Sequence, residues 1–101
     1  MNEKENKKEG KKERINKETV MRIKIKNWYI EKYPEDKLGQ EINPNVTFED
    51  LFEALDTYKD VYEVLGGNID SLIRERCFEK LSEIMEVPYD YIYDQWTLSN
   101  F

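Results

Sequence analysis

The side chains best placed for chemistry are carboxylates and tyrosines. "EVPYDYIYDQW" spaces Glu86, Asp90 and Asp94 four residues apart, with Tyr91 among them. On a helix that spacing lines the carboxylates along one face. "TFEDLFEALD" repeats the device with Glu49, Glu53 and Asp56. Such rows could hold a cation, do acid–base work, or contact a basic macromolecule. Acid–base cleavage of the glycosidase kind needs two carboxyls about 5–10 Å apart in a cleft. A folded body of about 80 residues has little room for one. No stretch has the D-x-[DN]-x-[DN]-G order of a calcium loop. The expectation is a non-enzymatic protein without metal or cofactor.

What the chain lacks narrows the chemistry further. It has no histidine, which removes imidazole bases, Ser-His-Asp and Cys-His nucleophiles, and the commonest zinc ligand. Cys77 is the only cysteine, so no intrachain disulfide can form, which fits a reducing compartment. It falls on an apolar stripe and reads as an unreactive core residue. Gly66-Gly67-Asn68 lacks the Gly-Lys-Ser/Thr half of a phosphate loop. No run of about 18 apolar residues could span a membrane, and the charged N-terminus has no signal-peptide core. A soluble, cytoplasmic protein is expected.

These residues must be positioned by a small body. Hydrophobic residues make up 39% of the 101, enough for one modest core. Residues 1–18 have one internal apolar side chain, Ile15, and read as a disordered charged arm. With seven basic and five acidic residues the arm carries +2, against −8 for an acidic helical domain over 19–101. The fold class predicted for that domain is all-α, a compact bundle of four to five short helices. Ile25, Trp28, Tyr29 and Tyr33 form one stripe, although "RIKIK" alternates as a strand would. Thr47 is placed to cap a helix whose inner face is Phe48, Leu51, Phe52 and Leu55. Val61, Tyr62 and Leu65 make a short helix that Gly66-Gly67 ends. Asp70 or Ser71 caps the longest one, with Leu72, Ile73, Cys77, Leu81, Ile84 and Met85 inward. In the last helix Ile92, Trp96 and either Tyr89 or Tyr93 should be buried and Tyr91 exposed.

"LSEIMEVPYDYIYDQW" is spaced like a helix-turn-helix, with Leu81, Val87, Ile92 and Trp96 at the internal positions. Glu86 stands where many such turns have glycine. From Leu81 to Phe101 there is no cation, while Glu83, Glu86, Asp90 and Asp94 are acidic. DNA phosphates would repel such a helix. Arg74, Arg76 and Lys80 precede it, interleaved with Glu75, Glu79 and Glu83 as surface i, i+4 partners. The acidic body instead favours a basic protein surface, contacted through Glu86, Asp90, Tyr91 and Asp94, with Glu49, Glu53 and Asp56 as a second face. An alternative is a nucleic-acid-binding module using Lys7, Lys8, Lys11, Lys12, Arg14, Arg22, Lys24 and Lys26. A homodimeric structural module is a third reading.

The pieces Trp28-Tyr29, "YPEDKLG", "TFEDLFEALD", "DVYEVLG", "DSLIRER" and "YDYIYDQW" together resemble a small accessory domain of polyvalent proteins from phages and conjugative elements of Firmicutes. The resemblance covers residues 25–96 and leaves out the arm; Gly66-Gly67-Asn68 departs from it. The family has no assigned activity, so no catalytic residue carries over. What the resemblance implies is a mobile-element context, in which small proteins block host restriction or CRISPR nucleases. The expected function is an anti-defence inhibitor, of anti-CRISPR or anti-restriction type. It would act in the host bacterial cytoplasm as a DNA mimic, on the basic surface of a nucleic-acid-binding protein or nuclease complex.

Overall fold

The computed structural model describes residues 18–99, so the arm expected over 1–18 lies outside the described residues except for Glu18. Helical backbone at 18–21 turns at residues 22 and 23 into α1 (Ile25–Lys32). A 3-10 turn (Lys37–Glu41), α2 (Phe48–Asp56), α3 (Val61–Leu65), α4 (Ser71–Met85) and α5 (Tyr89–Ser99) follow. This is the all-α bundle that the spacing predicts. The alternating "RIKIK" contributes only an isolated antiparallel bridge between Lys24 and Thr47. Ile25 N–H donates to the Val46 carbonyl at 2.9 Å and seats the start of α1.

Local chemistry accounts for most boundaries. Thr47 Oγ1 accepts from Asp50 N–H at 3.2 Å while Asp50 Oδ2 accepts from Thr47 N–H at 3.0 Å, a reciprocal capping box. Asp60 caps α3, and Asp70, rather than Ser71, caps α4. Helices α2 and α4 close alike. Lys59 N–H donates to the Ala54 carbonyl at 3.0 Å, and Val87 N–H to the Ser82 carbonyl at 3.1 Å. Each closure puts the preceding residue in the left-handed region, Tyr58 at φ 61 and Glu86 at φ 60, where glycine is usual. Helix α3 does use glycine. A Cβ on Gly66 would sit 2.6 Å from the Glu41 carbonyl oxygen.

The core gathers the predicted inner faces. Helix α2 packs on α3 and α5, α4 on α5, and α1 on the 3-10 turn. Ile25, Tyr29, Phe48, Leu51, Leu55, Val61, Leu65, Ile73, Cys77, Leu81 and Ile92 are all buried. Each such large apolar side chain contributes about 1.5–3 kcal/mol relative to exposure. Two readings of α4 need correction. Leu72 is not an inner residue but 46% exposed, because it heads the outer row 72, 76, 79, 83, shared with Arg76, Glu79 and Glu83. Phe78 is fully buried, and it extends the inner face to the row 74, 78, 81, 85. That row also takes Arg74 inside.

Candidate functional site

Burial of Ile92 sets the rotation of α5. With that residue against the core, Asp90, Tyr91, Asp94 and Leu98 share the outer stripe. All four are exposed, Tyr91 by 49% and Leu98 by 66%. Glu86 is exposed in the turn below them. The inner side holds Tyr89 and Trp96, both half-buried. The Trp96 ring meets Phe78 edge-on at 5.9 Å and Tyr62 at 6.3 Å. Tyrosines beside carboxylates suit a protein contact, since the ring is rigid and amphipathic.

Helix α2 is turned in the same way. Phe48, Leu51, Ala54 and Leu55 face the core, which leaves Glu49, Glu53 and Asp56 exposed one turn apart. The structure thus places all seven sequence-derived contact residues on the surface, six of them in two helices that touch each other and Glu86 in the turn before the second. Among the described residues no three of His, Cys, Asp or Glu converge as metal ligands would. No helix there is long and apolar enough to cross a membrane. Of the alternative cationic set, Arg22 and Lys24 are exposed and Lys26 is half-buried. Lys7, Lys8, Lys11, Lys12 and Arg14 lie outside the described residues.

The arginines of α4 correct another expectation: among the described residues Arg76 pairs with Asp36 rather than with Glu75, Glu79 or Glu83, and Arg74 keeps only a long contact with Glu75. Arg76 reaches back to the turn after α1. Its Nη1 donates to Tyr29 Oη at 2.6 Å and to Asp36 Oδ2 at 2.9 Å, and its guanidinium lies 4.1 Å from the Tyr33 ring centre. Tyr29 in turn donates to Asp36 Oδ2 at 2.5 Å. Burial and the Asp36 carboxylate push the Tyr29 phenol up to about 12. The phenol's hydrogen bond, with help from Leu38 N–H and Arg76, holds the Asp36 carboxyl below its ordinary value. A shallow cleft of about 460 Å³ opens beside this cluster, lined by Lys32, Tyr33, Pro34, Glu35, Asp36 and Arg76.

Arg74 is 5% exposed and lies among rings. Its guanidinium carbon is 4.2 Å from the Trp96 ring centre, 5.1 Å from Phe78 and 5.8 Å from Tyr93. Nε donates to Tyr62 Oη at 3.1 Å, and Glu75 Oε1 is 3.9 Å from Nη2. Nη1 has no hydrogen-bond partner among the described residues. The clue was in the spacing, since Arg74 is four residues before Phe78 and next to Ile73.

Both arginines bear on the surface field. After Lys37 the described chain has only Lys59, Arg74, Arg76 and Lys80 as cations, against fourteen carboxylates. One of these cations is withdrawn into the core and another is paired with Asp36. The outer carboxylates are therefore less compensated than residue counting implies. Comparison with protein-family models, with curated proteins and with solved structures returned no match to this chain.

Proposed function

We propose that this protein is a non-enzymatic inhibitor that docks its acidic, tyrosine-bearing surface onto the nucleic-acid-binding face of a cationic protein. The observation that carries the reading is the outer stripe of α5, where Asp90, Tyr91 and Asp94 are exposed together and no cation occurs between Leu81 and Ser99. Carboxylates arrayed on a rigid helix can take the places of phosphates and exclude the normal ligand. The mobile-element resemblance of residues 25–96 points to host defence nucleases, of CRISPR or restriction type, as targets. The α2 stripe supplies a second acidic face.

The reading is tested by adding the chain to a panel of CRISPR and restriction nucleases and scoring DNA cleavage. Inhibition of at least one enzyme is expected. Replacing Asp90 and Asp94 together by Lys should abolish it while leaving circular dichroism unchanged; inhibition that survives the double replacement removes the assignment. The exposure of Arg22 and Lys24, next to the basic arm, favours a second reading as a nucleic-acid-binding module. That reading requires a shift of duplex DNA at low salt that disappears when residues 1–26 are deleted.

A further inference from the structure

Tyr58 has a side chain at a position where the backbone disfavours one. It follows α2 as the left-handed residue of the helix closure, at φ 61, a conformation that crowds any Cβ and normally selects glycine. Burial does not compensate. Tyr58 is 72% exposed, the most exposed of the large apolar side chains, and its ring has no aromatic or cationic neighbour among the described residues. A large ring held in a strained position with most of its surface in solvent gains little from folding, and strain of this kind collects at functional sites.

Its surroundings indicate what the ring meets. Asp56 and Asp60 stand two residues away on either side, both exposed, and Glu53 precedes Asp56 on the α2 stripe. Asp60 caps α3 through Oδ1 alone, so Oδ2 stays available to an outside donor. We infer that Tyr58 is the anchor of the α2 acidic face and offers its ring to a guanidinium of a basic protein partner, with Asp56 and Asp60 receiving the flanking N–H groups. Arginine stacks on aromatic faces and donates in a planar fork, whereas a lysine ammonium is a compact, strongly hydrated charge. A second copy of this chain would bring carboxylates against carboxylates and does not fit. The inference rests on the reading of the protein as a ligand for basic surfaces and names the contact that selects among them.

The test uses the full chain with deca-arginine and deca-lysine peptides at low salt. Charge attraction alone predicts that both bind similarly. A stacking anchor predicts that deca-arginine binds about threefold more tightly or better. Tyr58→Gly should bring the two peptides to parity and melt no lower than the parent chain; Tyr58→Trp should keep the preference. If both peptides bind without a preference, or the preference survives Tyr58→Gly, the anchor is overturned while the acidic-surface reading stands. Failure of both peptides to bind overturns both.

Discussion

Tyr29 and Asp36 share a hydrogen bond of 2.5 Å across the turn that ends α1, and Arg76 closes on both from the middle of α4. This ties the first helix to the longest one through three polar side chains rather than through apolar contact alone. The phenol is the hinge of the cluster, since it donates to the carboxylate and accepts from the guanidinium. Its loss should be felt in stability and in two pH windows.

The alkaline window follows from the raised Tyr29 phenol. A group whose folded value lies above its unfolded one stabilises fully below the unfolded value and loses that contribution as pH rises through the folded one. The thermal midpoint should therefore hold up to about pH 10 and fall between the ordinary value of 10.0 and about 12. Tyr29→Phe should remove this component of the alkaline fall and cost about 1 kcal/mol at neutral pH, read by urea unfolding. The Asp36 carboxyl is lowered, so its contribution is present above the ordinary value of 3.8 and is lost as pH falls through the lower folded value.

Gly39 lets the 3-10 turn lie on the Tyr29 ring. A Cβ there would come 2.5 Å from Tyr29 Cδ1 and 2.9 Å from Cε1, and the ring cannot swing away because its hydroxyl is held by Asp36 and Arg76. Gly39→Ala should destabilise by about 1–3 kcal/mol. Combined with Tyr29→Phe it should cost less than the sum, because the freed ring can yield. Additive losses in a double-mutant cycle would sink this account.

Arg74 should be replaceable by a residue of similar reach without charge. Its ring contacts are favourable, by about 2 kcal/mol when desolvated, but a buried donor without a partner costs about 1–3 kcal/mol. These nearly cancel. Arg74→Met is expected within about 1 kcal/mol of the parent chain, whereas Arg74→Ala, which leaves a cavity under Trp96, should lose about 2–4 kcal/mol. Equal losses in urea unfolding would mean that the charge itself holds α5 in place.

Cys77 is fully buried, and burial pushes its thiol up to about 12. The thiolate is the reactive form. Labelling by a thiol-specific reagent at pH 8 should therefore proceed only as fast as the chain opens. A rate that rises with urea in step with global unfolding supports this; rapid labelling in native buffer contradicts it.

The sequence by itself determined the helices, most of their caps and most of their inner faces, Leu72 and Phe78 on α4 being the exceptions. Thr47 announces the cap of α2, Asp70-Ser71 narrows that of α4 to two residues, and the apolar spacing around Ile92 and Leu51 turns α5 and α2 so that their carboxylates face outward. All of this is local, set within about one turn of helix, so it can be read from neighbours in the chain. Tertiary structure alone decided where the arginines went. Arg76 meets a carboxylate forty positions away, a pairing that no spacing within α4 encodes, and Arg74 is taken inside because rings from α3, α4 and α5 converge on it. It also decided that Tyr58 stands largely exposed, since only the assembled bundle shows how little of it is covered. Local periodicity specifies which way a side chain points, but what it meets there depends on elements that the chain brings back from far away.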